Sequence, residues 1–210
     1  PLTCAGRTDA GVHAQGQVVS FDGPADVDPS RLQHSLNRML APSIAVRELE
    51  AAPADFDARF SARNRTYRYQ ILNRNIPDPL LHRTVWQVRE ALDVNAIELA
   101  ARHLVGEHNF STFCRRRIVH VDGSEVDADL TRTVLSIEWR RTGQDLVEHW
   151  ITATAFCHQM VRSLTGTLVE VGLGKRAPDS IPGLIEAGDR QLATAVAPPH
   201  GLTLWSVGYQ

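Results

Sequence analysis

The sequence predicts an α+β fold built around a largely antiparallel or mixed sheet. Strand and helix patterns mix along the chain without the regular βαβ alternation of a parallel sheet. Two β-rich runs, residues 131–141 and 146–156, flank Thr142-Gly143-Gln144-Asp145, an arrangement typical of a hairpin. At 210 residues, of which 43% are hydrophobic, the chain can bury a sizeable core as one domain or two small ones.

The first quarter of the chain carries two predicted strands around one helix. Residues 17–21 read as a short strand that a turn signal ends. A helix follows, with Asp28 or Ser30 as its N-cap and apolar residues at helical spacing until Pro42. Residues 44–49 alternate in polarity and predict another strand.

A second lobe is predicted after residues 51–55, Ala-Ala-Pro-Ala-Asp, which we interpret as a hinge. We therefore expect one α+β lobe over residues 1–54 and a larger one over residues 55–210. Residues 63–73 alternate as a strand, and one face of it is aromatic. That face carries Arg65, Tyr67, Tyr69 and Ile71. The later predicted elements are a helix between Asp93 and Gly106, a helix over residues 158–171, a short helix near Ile185 and a strand over residues 202–209.

Composition and spacing argue against several function classes. No apolar run approaches the roughly 20 residues of a membrane helix, and the first residues lack a secretory signal pattern. The nine histidines are scattered without metal-ligand spacing, and neither a phosphate-binding glycine loop nor a G-x-S-x-G elbow occurs. We expect no metal and no cofactor. Cys4, Cys114 and Cys157 show no close spacing, so we expect free thiols in a reducing compartment, the cytoplasm.

Arginine is clustered locally, although the formal net charge is −2. This overall balance lacks the global basic footprint of many nucleic-acid-binding proteins. Two interpretations of the clusters stay open: a surface that contacts phosphates, and an ordinary solvated face. The clustered residues are Arg59, Arg63, Arg65 and Arg68, then Arg115, Arg116 and Arg117, and finally Arg140 and Arg141.

The loop over residues 5–14 carries a carboxylate, a guanidinium and an imidazole beside two glycines. Gly6 and Gly11 allow backbone angles and close approaches that a side chain would block, so Asp9 can be presented into a cleft. A solvated turn uses the same residue types, and the spacing by itself leaves both interpretations open.

Asp9 is the best single reactive group that the spacing offers. A carboxylate beside a guanidinium stays ionised at neutral pH, and it can attack or stabilise an oxocarbenium-like sugar carbon. Arg7 and Arg162 are candidate partners, and pairing with Arg162 requires the tertiary fold. Tyr67 can stack on a nucleobase, although a core tyrosine next to Tyr69 is the simpler interpretation.

Five blocks of residues follow one another along the chain. They are Ala5-Gly6-Arg7-Thr8-Asp9-Ala10-Gly11-Val12-His13-Ala14, Asp57-Ala58-Arg59-Phe60-Ser61-Ala62 with Arg65-Thr66-Tyr67-Arg68-Tyr69, Gly106-Glu107-His108-Asn109-Phe110, Phe156-Cys157-His158-Gln159-Met160-Val161-Arg162, and Gly166-Thr167-Leu168-Val169-Glu170-Val171-Gly172. In this order they resemble the blocks of the TruA-type tRNA pseudouridine synthases. The resemblance covers essentially the whole chain, and five blocks in the same order are very unlikely to agree by chance.

The resemblance implies a role for each of three residues. Asp9 is then the catalytic aspartate, Tyr67 the aromatic ring that stacks on the flipped uracil, and Arg162 the guanidinium paired with the aspartate. The implied reaction isomerises uridine to pseudouridine in the anticodon stem-loop of tRNA without metal or cofactor. The implied architecture is a homodimer whose subunits have two α+β lobes around a mainly antiparallel mixed sheet and a central RNA-binding cleft. The expected RNA-binding residues are Arg7, His13, Arg59, Arg63, Arg65, Arg68, Arg115 and Arg116.

Two features depart from the family pattern. A strand and helix normally precede the position of Pro1, so we expect part of the first lobe to lie outside this sequence. Residues 115–129 carry an acidic run, and we interpret them as a variable surface loop near the RNA.

A non-catalytic RNA-binding or chaperone module is the alternative function, against which the intact Asp9, Tyr67 and Arg162 argue. A small-molecule glycosidase would need a second acid carboxylate, for which we find no partner.

Overall fold

A computed structural model describes residues 1–24, 26–193 and 196–209, without the side chain of Val121. Its centre is a seven-stranded sheet. Eleven strands and four α-helices lie in the described ranges. The strands are β1 (Leu2–Cys4), β2 (His13–Ala14), β3 (Val19–Phe21), β4 (Asn64–Asn73), β5 (Trp86–Val88), β6 (Gly106–Asn109), β7 (Ile118–Val121), β8 (Ser124–Asp127), β9 (Thr131–Thr142), β10 (Leu146–Ala153) and β11 (Leu202–Gly208), and the helices are α1 (Pro29–Leu40), α2 (Val94–Arg102), α3 (Met160–Gly172) and α4 (Ile181–Ala187).

The central sheet is mixed. Its strand order is β2-β11-β4-β10-β9-β6, and β5 pairs with β4 off this path. The β2–β11 and β4–β5 pairs are parallel, and the other pairs are antiparallel. The predicted hairpin is β9 and β10, and the predicted α+β class with a mixed sheet is confirmed. The short strands β1 and β3 form a separate antiparallel pair beside it.

The core lies between one face of this sheet and two helices. Helix α3 is almost fully buried, and α2 packs against it. The periodicity predicted both helices, and Asp93 caps α2 as expected, since its carboxylate accepts a hydrogen bond from the Ala96 amide. Helix α2 ends at Arg102, before the predicted stop, because Gly106 already begins strand β6 with a φ of 111°. The largest buried side chains are Trp139, Tyr69, Phe110 and Phe113.

The predicted strand over residues 44–49 is wrong, because side chains of α1 bind this segment's backbone in place of another strand. Asn37 donates to the Val46 carbonyl and accepts from the Val46 amide, at 2.9 and 2.6 Å. Gln33 donates to the Val46 and Arg47 carbonyls. The Val46 amide and carbonyl and the Arg47 carbonyl therefore have partners on α1, and these groups need none in a sheet.

Two more expectations need correction. Residues 115–129 form the exposed hairpin β7–β8 in place of a loop. Cys4 is a free thiol, but Cys114 and Cys157 form a disulfide with their Cα atoms 5.8 Å apart. The pair is separated by 43 residues, so spacing along the chain gave no sign of it. Within the described ranges, no helix is long and apolar enough to cross a membrane, and no cluster of metal-binding side chains is found.

Candidate active site

The loop between β1 and β2 holds Asp9 at a defined position. At its start, the Gln17 side-chain amide bonds both the Gly6 amide and the Gly6 carbonyl, at 3.3 and 2.7 Å. At its far end, β2 pairs in parallel with β11. Between these anchors, the Asp9 carbonyl accepts a hydrogen bond from the Val12 amide, which closes a turn. The loop is therefore braced on both sides of the Asp9 carboxylate.

The two glycines of the loop have different roles. Gly11 has a φ of 86°, and a Cβ there would lie 3.2 Å from the Pro199 ring, so both backbone angle and space favour glycine. Gly6 has no positive φ, and a Cβ there would lie at ordinary contact distance from the Tyr67 hydroxyl, 3.5 Å away. The backbone freedom expected at both positions is needed only at Gly11.

Arg162, in the first turn of α3, reaches the Asp9 carboxylate. Its Nη1 donates to Asp9 Oδ2 at 2.6 Å, across 153 residues of sequence. Its Nε donates to the Ala197 carbonyl at 2.7 Å, which fixes the plane of the guanidinium. The side chains are 14% and 24% exposed, for Arg162 and Asp9, so the ion pair is only partly open to water. A charge-assisted bond of this kind is shorter and stronger than one between neutral groups, and it fixes the orientation of the carboxylate.

His158 also contacts the carboxylate, and sequence reasoning missed it. Its Nε2 lies 3.1 Å from Asp9 Oδ1, the oxygen that Arg162 leaves free. The sequence offered no local signal for this contact. His158 lies four residues before Arg162, but helix α3 begins only at Met160 and Gln159 has a left-handed φ of 67°, so helical spacing does not place the two side chains together.

Tyr67 is buried on the same side of the sheet as Asp9. Its ring packs edge-on against Phe156, with the ring centroids 5.1 Å apart, and it is 8% exposed. Burial raises the pKa of the Tyr67 hydroxyl to about 12; the positive charge of Arg65 opposes this rise and the negative charge of Asp9 adds to it. The hydroxyl therefore stays protonated at neutral pH.

Arg65 supports the start of the loop that carries Asp9. Its guanidinium donates to four backbone carbonyls and is buried. One of them is the Ala5 carbonyl, at the entrance to the Asp9 loop. With its donors satisfied inside the protein, this side chain supports the fold where the sequence had suggested a contact to RNA. The other three carbonyls belong to Arg59, Ala62 and Thr154.

Two of the residues expected to bind RNA have partners within the protein. Neighbouring residues of a strand point to opposite faces, so Arg68 faces away from Tyr67 and the Asp9 side of the sheet. The Arg68 guanidinium lies over the Trp205 ring at 4.4 Å. His13 Nε2 contacts the Arg83 carbonyl at 2.8 Å.

The five remaining expected RNA-binding residues are exposed, as His13 is. Arg116 is engaged in an ion pair with Asp127, at 2.7 Å. Arg115 follows the disulfide residue Cys114, and its amide donates to the His158 carbonyl at 2.9 Å, next to the candidate site. The others in this group are Arg7, Arg59 and Arg63.

Sequence comparisons give the family of this chain. The sequence model described as "tRNA pseudouridine synthase" matches residues 1–61 and 100–210. The chain belongs to this family. It is 39% identical to tRNA pseudouridine synthase A of Bacillus subtilis over 209 residues, which cover 100% of the chain and 81% of the relative. It is 43% identical to the proteins of the same name from Xanthomonas oryzae pv. oryzae, over 96% of the chain and 75% of the relative, and from Frankia casuarinae, over 99% and 73%.

The contacts show what four of the five blocks contribute in this member of the tRNA pseudouridine synthase family. The loop over residues 5–14, the strand segment 65–69 and the segment 156–162 converge on Asp9. The block over residues 106–110 forms the edge strand β6 and buries Phe110, so its contribution is to the core. Sequence resemblance by itself does not tell which blocks form the candidate site and which belong to the core. The contacts in the structure make this distinction.

Proposed function

We propose that this protein isomerises uridine to pseudouridine in tRNA, at the anticodon stem-loop, with Asp9 as its catalytic group. One observation carries the proposal: a single carboxylate sits at the tip of a braced loop, with Arg162 on one oxygen and the Tyr67 ring on the same side of the sheet. The reaction itself comes from family membership, and we interpret the arrangement of these side chains in terms of that reaction.

The reaction moves uracil from one glycosidic bond to another, with no net gain or loss of atoms. The N1–C1′ bond breaks, the detached uracil turns in the site, and C5 bonds to C1′. The proton on C5 is then released, and N1 takes up a proton. To reach the site, the target nucleotide has to leave its stack.

Asp9 has two chemically reasonable routes. As an ionised carboxylate it attacks C1′ and forms a covalent sugar intermediate, or it removes the 2′ proton to give a glycal. Arg162 holds the carboxylate in its orientation on either route. Replacing the hydrogen on C2′ by deuterium distinguishes the two routes. Only the glycal route breaks the C2′–H bond, so only that route gives a primary isotope effect.

The Tyr67 ring is proposed to retain the uracil once its bond to the sugar is broken. Its aromatic face can stack on a base, and base–aromatic stacking is worth about 1–3 kcal/mol. Because burial raises the pKa of the hydroxyl to about 12, the tyrosine acts as a neutral ring and not as a phenolate base. The perpendicular contact with Phe156 holds the ring in place.

The exposed arginines near Asp9 are proposed to contact tRNA phosphates. Arg7 lies two residues before Asp9 in the same loop, and Arg115 is bonded through its backbone to His158. Arg59 and Arg63 are exposed as well. Such contacts make affinity for tRNA strongly dependent on salt.

The finer architecture is part of the same proposal. We propose two lobes, residues 1–54 and 55–210, with the RNA cleft between them, and a cytoplasmic homodimer that holds tRNA across both subunits. What supports the lobe division is that Asp9 comes from the first range, whereas Tyr67 and Arg162 come from the second. Sedimentation with and without tRNA tests the dimer.

Release of tritium from tRNA that carries C5-labelled uridine tests the function. The wild type is expected to release tritium, Asp9→Asn to release none above background, and both to bind tRNA within about threefold of each other. Asp55→Asn, at an exposed carboxylate outside the site, is the matched control and keeps the wild-type rate. An Asp9→Asn protein with wild-type turnover would contradict the proposal.

A further inference from the structure

His158 places a second nitrogen against the carboxylate of Asp9. Its Nε2 is 3.1 Å from Oδ1, while Arg162 holds Oδ2 at 2.6 Å, so the two oxygens have different partners. A carboxylate held at one oxygen can still rotate about its Cβ–Cγ bond, whereas one held at both oxygens has a fixed plane. The imidazole is 49% exposed, so it lies on the open side of the site.

The backbone around His158 is held by three independent features. Gln159 has a φ of 67°, in the left-handed region that non-glycine residues rarely adopt, and it turns the chain from His158 into α3. The His158 carbonyl accepts from the Arg115 amide at 2.9 Å. Cys157, the preceding residue, is linked to Cys114. Surrounding structure that imposes an unfavourable backbone angle is typical of functional sites.

We propose that His158 is a positioning residue for the Asp9 carboxylate, and that protonation of its imidazole slows the isomerisation. The inference rests on the proposed function. In the complex with tRNA, Nε2–H of the neutral imidazole donates to Oδ1 and, together with Arg162, aims the carboxylate at the sugar. Contacts of this kind often tighten only when the substrate is bound.

Charge explains the expected pH dependence. Within the described ranges, the charged groups that face the imidazole are Asp9, from the loop after β1, and Arg162, which lies on α3 beyond that carboxylate. Arg115 meets His158 through backbone atoms. An imidazolium would add a second cation to one carboxylate, which makes it a weaker base and nucleophile. It would also repel the positive charge that develops on the sugar during bond cleavage.

The experiment measures single-turnover tritium release at saturating tRNA between about pH 5.5 and 8.5, the range in which histidine changes charge. His158→Gln keeps an amide N–H at a similar reach but cannot titrate, and His158→Leu removes the donor. His103→Gln, at the exposed C-cap of α2, is the matched control. Affinity for tRNA and melting temperature are measured for every variant.

The expected results separate positioning from a structural role. His158→Leu lowers the rate about tenfold, with an affinity for tRNA within about twofold of wild type. His158→Gln stays within about threefold of wild type at pH 8, and it loses the fall in rate that the wild type shows toward pH 5.5. His103→Gln behaves as the wild type at every pH.

Three outcomes would overturn the inference while leaving the proposed function intact: a wild-type rate in His158→Leu, an unchanged acid limb in His158→Gln, or a loss of rate matched by an equal loss of tRNA affinity. A wild-type protein that releases no tritium would instead overturn the proposed function, and this inference with it.

Discussion

Replacing Arg162 by methionine tests whether the guanidinium orients the reactive carboxylate or only stabilises the fold. Methionine keeps much of the apolar stem and removes every donor. Two hydrogen bonds are lost, to Asp9 Oδ2 at 2.6 Å and to the Ala197 carbonyl at 2.7 Å. A bond to a charged group contributes about 1.5–3 kcal/mol, and a bond to a neutral carbonyl about 1 kcal/mol.

Exposure decides where the effect on stability falls in this range. Because the Asp9 side chain is 24% exposed, water replaces part of the lost bond, and we take the lower half, about 2 kcal/mol, for the carboxylate. When the lost bond to the Ala197 carbonyl is added, the free energy of unfolding falls by about 3 kcal/mol in total. This lowers the melting temperature by roughly 6–12 °C at this chain length. A displacement of the carboxylate by about 1 Å costs about 100-fold in turnover.

The assay is single-turnover tritium release at 20 °C and saturating tRNA, with tRNA affinity measured in parallel. Arg162→Met is expected to lose about 100-fold in rate and less than about threefold in affinity. Arg162→Lys keeps the charge without the planar fork and is expected to be intermediate. Arg102→Met, on the exposed last turn of α2, controls for loss of a surface charge. A folded Arg162→Met protein with turnover within threefold of wild type, or with an equal loss of affinity, would refute the reasoning.

Three further predictions concern the ring, the core and the RNA surface. Tyr67→Phe is expected to keep turnover within about threefold and an unchanged pH profile, because burial raises the pKa of the hydroxyl to about 12 and it stays protonated. Tyr67→Ala is expected to lose about 10–100-fold in turnover, because the ring is gone. A new alkaline limb in the pH profile of Tyr67→Phe would contradict this. Burial lowers the pKa of His149 to about 3 from an ordinary 6.5, so only the unfolded chain takes up this proton. Its contribution to stability is therefore full above about pH 6.5 and falls by about 1.4 kcal/mol per pH unit from there down to about pH 3, where the folded protein also takes up the proton. Within that window, urea unfolding of His149→Phe should show a slope of stability against pH that is smaller by this amount, and an equal slope would exclude His149 as its source. Arg115→Ala should reduce the dependence of log Kd for tRNA on log salt by about 0.9, whereas Arg116→Ala, whose partner is Asp127, should leave it unchanged.

Local patterns predicted the long elements of the fold well. Strand β4 alternates between buried and half-exposed residues along most of its length, and its period of two is visible in the sequence. Helix α1 follows a capping aspartate with proline in its first turn, as predicted. The predicted strand over residues 44–49 failed because the amides of Gln33 and Asn37 bind its backbone, and alternation of polarity carries no information on such partners.

The sequence by itself determined the class of fold and, through the order of its blocks, the family, and it singled out the loop over residues 5–14 as the candidate site. These follow from local propensity and from residue types at short spacing, which the chain carries wherever it folds. The resemblance implied that Arg162 pairs with Asp9 across 153 residues, and the structure shows this contact. Only the tertiary structure decided the other surroundings of Asp9, because His158 was indistinguishable from eight other histidines and Arg65 proved to be a buried support. The physical reason is that hydrogen bonds and desolvation act over a few ångströms in space, and distance along the chain does not report distance in space.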